Sequence, residues 1–262
     1  MEITSEARDG QVLERRFTLE VGDESVPGIH WLPADVAEPH ATVCVGHGGF
    51  QHKRIDNVLG LAVQLVSNLG VGVISLDAPE HGDRQTDPEG AARTLEAIRN
   101  GDRDAMRSRF GRDARKAMAA RAVQHVAEWR ALLDDLQTNP QWAAGPFGWW
   151  GVSMGTAHGI PLAASDDRIS AAVFGLNALR DGDVRWAEQA ASITVPVLFL
   201  CQSDDELMTR DTALALWDAL GSTEKTLHLN PGSHVQVPKF ERQASEDFYR
   251  RHLLGGPPVR TT

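Results

Sequence analysis

Gly151-Val152-Ser153-Met154-Gly155 decides how the chain is read. It has the form G-x-S-x-G. Ahead of it, Pro146-Phe147-Gly148-Trp149-Trp150 is a short apolar run with strand character. Behind it, Thr156 to Ala164 can open a helix that stops at Asp166-Asp167. In a strand, a sharp turn carrying serine and then a helix, the serine takes up a strained backbone and its hydroxyl stands clear of a sheet. Glycines two positions to either side let strand and helix approach closely. Taken alone, a serine among small residues also fits an ordinary turn, so the rest of the chain has to decide.

Towards the N-terminus, Gln11 to Val21 alternates apolar and polar residues, Gly22-Asp23-Glu24-Ser25 is a turn, and Val26 to Leu32 is a second strand. Together these read as an antiparallel hairpin. Ala41 to Val45 is a buried strand that runs into Gly46-His47-Gly48-Gly49-Phe50. Val58, Leu61, Ala62, Leu65, Val66 and Leu69 have helical spacing, and Gly70 can end that helix. Val71 to Leu76 is another continuous apolar strand, followed by Asp77-Ala78-Pro79-Glu80-His81-Gly82-Asp83-Arg84. Further on, the pattern predicts helices near 117–137, 155–165, 211–220 and 238–253. It predicts strands at 147–152, 169–176, 195–201 and 225–229. Continuous apolar strands separated by amphipathic helices specify an α/β fold: a mostly parallel sheet of about eight strands, covered on both faces.

The interval between strands 71–76 and 147–152 is too long for one helix. The excess, about 85–116, reads as a small helical cap at the carboxyl edge of the sheet, where ligands bind in open α/β folds. Residues 93–121 hold Arg93, Arg99, Arg103, Arg107, Arg109, Arg112, Arg115, Lys116 and Arg121 against only Glu96, Asp102, Asp104 and Asp113. A solvated, salt-bridged helical face accounts for this surplus; an arginine reaching inward to an anionic substrate group is the sharper alternative. The expected organisation is one domain over 1–254, followed by a disordered tail at 255–262.

With 262 residues, 42% of them hydrophobic, the chain can bury a sizeable core. A formal net charge of -10 argues against a nucleic-acid partner. No apolar run is long enough to span a bilayer, and the acidic N-terminal residues do not resemble a secretory signal. Cys44 and Cys201 both lie in apolar strand-like runs and read as buried free thiols. No metal site is expected. These features suit a cytoplasmic protein, either monomeric or a homodimer.

A serine hydroxyl becomes a useful nucleophile only when a base takes its proton and a third group holds the base. The strand Val195 to Leu200 runs into Cys201-Gln202-Ser203-Asp204-Asp205-Glu206, and Thr226-Leu227-His228-Leu229 runs into Asn230-Pro231-Gly232-Ser233-His234. Acids and a histidine therefore follow Ser153, each at a strand's carboxyl end. The order Ser, Asp, His is that of one serine-hydrolase architecture.

On these motifs the chain resembles the α/β-hydrolase-fold serine hydrolases over roughly residues 11–253. The loop 77–84 is similar to that of small bacterial esterases in the dienelactone-hydrolase and prolyl-oligopeptidase-like branch. The resemblance implies Ser153 as nucleophile, His234 as general base and Asp205 as acid, with Asp204 in reserve. Asn177 occupies the position after strand six that carries the acid in some members, and Asp181 and Asp183 a little further on stay open. Backbone N–H groups of Gly49 and Met154 would form the oxyanion hole, with Phe50 an alternative to Gly49. Phe50 and Trp186 are candidate pocket residues. The implied activity is hydrolysis of small to medium carboxylic esters through an acyl-enzyme, with no cofactor. The alternatives are an amide, a thioester, a carbon–carbon bond or acyl transfer, and a non-catalytic binding protein. Dienelactone hydrolases proper carry a cysteine nucleophile, so the serine here points away from that substrate.

Overall fold

A computed structural model describes residues 1–36, 39–100, 102, 104, 108, 111–139, 142, 145–180 and 182–255. The strands are β1 (Glu2–Asp9), β2 (Val12–Val21), β3 (Glu24–Pro33), β4 (Thr42–Gly46), β5 (Gly72–Leu76), β6 (Phe147–Gly151), β7 (Ile169–Gly175), β8 (Val197–Gln202) and β9 (Lys225–Asn230). The helices are α1 (Asp56–Leu69), α2 (Pro88–Arg99), α3 (Arg112–Thr138), α4 (Met154–Ala163), α5 (Val184–Ser192), α6 (Arg210–Ala219) and α7 (Phe240–His252). All nine strands form one sheet in the order β1-β2-β3-β5-β4-β6-β7-β8-β9. β1, β2 and β3 run antiparallel, and β3 also pairs antiparallel with β5. From β5 through β4 to β9 every pairing is parallel.

The central strands are apolar on both faces because the sheet is covered on both faces. Cys44, Ile74, Trp149, Phe174 and Phe199 point into one core, together with Trp129 and Leu132 of α3, Ile160 of α4, Ala190 of α5 and Leu216 of α6. Their sequence neighbours Val43, Val45, Val73, Trp150, Val173 and Leu198 point into the other, against α1 and α7. Trp149 and Trp150 thus take opposite faces, as alternation along a strand requires. Trp149 meets Trp129 edge-on at 5.1 Å, and Trp150 Nε1 donates to Ser245 Oγ at 3.1 Å.

The chain leaves β4 for β5 on one side and returns to β6 on the other, so the strand order switches direction at β4. Ligand sites form at such a switch, outside the carboxyl ends of the strands. Gly46 and Gly151 are directly paired there. A Cβ on Gly155 would sit 2.4 Å from Gly46 O, and one on Gly151 would sit 2.8 Å from the Gly155 backbone. Both glycines of the motif are therefore fixed by packing.

The structure adds two elements to the sequence reading and lengthens a third. β1 makes a ninth strand, yet all its residues are exposed; an edge ribbon with no buried face leaves no apolar alternation to detect. α5 spans nine residues, too short for helical periodicity to register, and buries only Ala190. α3 begins at Arg112, five residues before the expected 117.

Within 85–116, α2 occupies 88–99. Arg93 pairs with Glu89 at 3.5 Å and Arg121 with Glu80 at 2.5 Å, both partly or largely in solvent. Arg103, Arg107 and Arg109 lie outside the described residues, as do the side chains of Arg99, Arg112, Arg115 and Asp113. Asp181 and residues 256–262 of the expected tail also lie outside them. Among the described residues, no helix is long and apolar enough to cross a membrane.

Candidate active site

The turn after β6 places Ser153 at φ 57° and ψ −116°, a conformation L-residues avoid. Its N–H donates to Gly175 O at 2.8 Å, and Asn177 Nδ2 donates to its carbonyl at 2.9 Å. Below it, Thr156 is fully buried. Its Oγ1 lies 2.8 Å from Gly151 O and 2.6 Å from Gly175 O, and accepts from Gly175 N at 2.8 Å. The bend is therefore over-determined by bonds to β6 and β7. Phe50, Glu80 and Leu176 also have positive φ, and each follows the carboxyl end of a parallel strand (β4, β5 and β7). Backbone strain gathers along this one edge of the sheet.

The loop after β9 brings His234 over Ser153. His234 Nε2 lies 2.9 Å from Ser153 Oγ, and His234 Nδ1 lies 2.7 Å from Asp205 Oδ2. An ionised carboxylate only accepts, so Nδ1 carries the proton and Nε2 presents its lone pair to the hydroxyl. The side chains of His234 and Asp205 are 8% and 3% exposed, so both bonds run through a largely dry space. The other Asp205 oxygen accepts from the N–H groups of Leu207 and Met208, both at 2.8 Å, which fixes the carboxylate plane.

The acids flanking Asp205 grip the backbone of the same loop. Asp204 Oδ2 accepts from Gly232 N at 3.0 Å, and Glu206 Oε2 accepts from His234 N at 2.9 Å. Gln202 Nε2 donates to Gln236 O at 2.8 Å. Asp204 thus contacts the loop two residues away from the imidazole. The Gly232 and Ser203 bonds hold its carboxyl below the ordinary range. Asn177 turns to the Ser153 carbonyl, and Asp183 is exposed at the start of α5.

Met154 opens α4, and the first N–H groups of a helix have no acceptor within it. In the loop after β4, Gly48 N donates to Gln51 Oε1 at 3.1 Å and Gln51 N to Gly48 O at 3.3 Å. Phe50 completes this turn at φ 60°. Gly49 lies between them, and a Cβ there would meet nothing within 4 Å. Open space faces that backbone. Trp186 packs from α5 against the core, partly buried.

His228 Nδ1 bonds Glu241 Oε2 at 2.8 Å, and that bond raises its pKa. His125 and His158 stack edge-on at 4.8 Å and are both lowered by burial. His47 is lowered by burial to about 3. Among the described residues no group of three or more His, Cys, Asp or Glu side chains is arranged to hold a metal ion.

Sequence reasoning did not single out Thr156, Glu206 or the grip of Asp204. Their roles arise from backbone partners on other strands, and only the run of three acids hinted at them.

No protein-family model and no curated protein matches the chain. Solved structures do. A cold-adapted esterase from an Arctic intertidal metagenomic library is 32% identical, with 97% of this chain and 100% of that one covered and a TM-score of 0.76. An esterase from Butyrivibrio proteoclasticus with ferulic acid bound shares the fold at 13% identity, over 90% of this chain and 98% of that one, with a TM-score of 0.65. A dienelactone hydrolase from Anabaena variabilis shares it at 16%, over 93% and 99%, with a TM-score of 0.63. At 32% identity over nearly the whole of both chains, with the strained serine turn at the switch point of a mostly parallel sheet, this chain belongs to the α/β-hydrolase-type esterases.

Proposed function

We propose that the protein is a serine carboxylesterase acting on small to medium carboxylic esters. The observation that carries this is the line Asp205–His234–Ser153, with contacts of 2.7 and 2.9 Å behind a strained serine. Ser153 Oγ attacks the ester carbonyl while His234 Nε2 takes its proton. The carbonyl oxygen becomes an oxyanion, which the N–H groups of Gly49 and Met154 receive. The imidazolium is stabilised by Asp205 and gives its proton to the leaving alkoxide, which departs as the alcohol. Water then attacks the acyl-enzyme with His234 again as base, and the acid leaves with Ser153 restored. These steps use the protein's own groups and water.

In this reading Phe50, at the turn beside Gly49, and Trp186, partly buried on α5, line the substrate pocket. The unit carrying this chemistry spans 1–254, with 85–116 as a cap over the carboxyl edge.

The test is intact mass after exposure to a fluorophosphonate, with peptide mapping, alongside turnover of a panel of neutral esters. A single adduct on Ser153, lost in Ser153→Ala and strongly slowed in His234→Ala, is expected. Ester turnover retained in Ser153→Ala would refute the assignment.

A further inference from the structure

The segment that presents Gly49 is tied at both ends to the loop after β5. At its start, His47 is 2% exposed. His47 Nε2 accepts from Ala78 N at 3.1 Å, so the proton sits on Nδ1, which donates to Gly48 O at 2.8 Å. At its end stands Lys53, its side chain only 8% exposed. The Lys53 backbone N–H donates to Asp77 Oδ1 at 2.9 Å, and its ammonium donates to Asp77 Oδ2 and to Asp83 Oδ2, both at 2.6 Å. Asp77 is fully buried and takes a further bond from Asp83 N at 2.9 Å. Gly82 closes over that carboxylate; a Cβ there would lie 2.2 Å from Asp77 Oδ1.

Burying an ammonium and a carboxylate costs several kcal/mol per ion, and an apolar pair of similar volume often stabilises a protein as well or better. Stability alone is therefore a weak reason for a lysine here. Its location suggests another. Between His47 and Lys53 lies the strained turn at Gly48–Gln51, whose middle N–H must be aimed to within a fraction of an ångström to receive an oxyanion. The ammonium is engaged by two carboxylates, which suits it to holding rather than reacting.

We propose that Lys53 is a positioning residue of the oxyanion site: buried between Asp77 and Asp83, its ammonium fastens the loop after β4 to the loop after β5 and so fixes the aim of the Gly49 N–H. This rests on the esterase reading above. Lys53 touches no substrate; it acts through the backbone it holds. The consequence is a loss specific to the transition state. Substrate binding does not depend on the aim of that N–H, whereas the tetrahedral state does.

The experiment compares the full chain with Lys53→Met, Lys53→Arg and the double variant Lys53→Met/Asp77→Asn, which removes both buried charges. Steady-state kinetics on p-nitrophenyl butyrate, inhibition by a boronic acid that forms a tetrahedral adduct, pH–rate profiles and thermal melts are recorded for each. Fluorophosphonate labelling of Ser153 in the unaltered protein is the control; its failure would remove the esterase reading and this proposal with it. In Lys53→Met, kcat is expected to fall about 10- to 100-fold, the range for a misaimed catalytic group, with KM within about threefold. Boronate affinity should weaken in parallel, and the pH midpoint should stay in place. Lys53→Arg should recover much of the loss. The double variant should regain stability over Lys53→Met without regaining kcat, and it carries the test if Lys53→Met does not fold. A double variant with kcat within twofold of the unaltered protein would overturn the proposal. So would a loss confined to KM, or a shifted pH midpoint.

Discussion

Replacing Ser153 by glycine and, separately, by alanine isolates the strain at the serine turn. Both changes remove the hydroxyl and its 2.9 Å contact with His234, so that hydrogen bond, worth about 1 kcal/mol, cancels in the difference. The backbone at φ 57° and ψ −116° stores about 1–3 kcal/mol for any residue with a Cβ. Alanine keeps that strain and glycine releases it. Glycine also loses about 0.5–1 kcal/mol more conformational entropy on folding. Ser153→Gly should therefore be the more stable variant by about 1 kcal/mol. For a chain of this size that corresponds to about 2–4 °C in melting temperature. Differential scanning calorimetry of the two variants reads it directly. A glycine variant melting below the alanine variant would refute the idea that the fold forces this residue into a costly conformation.

Other outcomes follow from the same geometry. His30 and His47, fully desolvated, are both lowered to about 3 from 6.5. Below pH 6.5 the unfolded chain binds protons these two refuse, so stability should fall with pH by about 1.4 kcal/mol per unit for each histidine. His30 has no hydrogen-bond partner for either ring nitrogen among the described residues, and His30→Leu should lower that slope by one proton in melts between pH 6.5 and 5. His228 has the opposite sign. Glu241 raises it above 6.5, so its contribution is present below that pH and lost as pH rises through the raised value; His228→Gln should flatten the alkaline decline in urea titrations. Glu206→Ala removes the acceptor for the His234 N–H and should reduce kcat about tenfold with little change in KM, whereas Glu206→Gln, which keeps an acceptor oxygen, should stay within about threefold. Thr156→Val leaves Gly175 N without its acceptor and should cost about 1–3 kcal/mol in chemical denaturation. An unchanged midpoint would mean the turn is held elsewhere.

The elements legible in the sequence are those whose information is local. Continuous apolar runs gave β4 through β8, because a strand buried on both faces has no polar face to interrupt it. The G-x-S-x-G spacing was readable because Gly151 and Gly155 admit no Cβ. The order Ser153, Asp205, His234 was readable because each follows a strand on the same edge. β1 was hidden because it satisfies its backbone against β2 and buries nothing. The Lys53–Asp77 pair was hidden because its partners lie on different loops, and a lone lysine looks like solvent-facing charge until its neighbours are known. Asp204 and Glu206 read only as reserve candidates or bulk acidity. Their acceptors are needed by the backbone of residues 232 and 234, which no periodicity records.

The sheet order also carries a consequence in time. The serine turn and the loop that faces it are built from β4 and β6 in the middle of the sheet, whereas Asp205 and His234 arrive in the loops after β8 and β9, at its far edge and later in the chain. Translation delivers the N-terminal parts first. A nascent polypeptide halted anywhere before residue 234 would hold a serine with no base to activate it, and would be chemically silent however much of its core had formed. Under the proposed mechanism the activity switches on only after residue 234 has been made and its loop has closed over Ser153, and a shorter nascent molecule cannot consume esters.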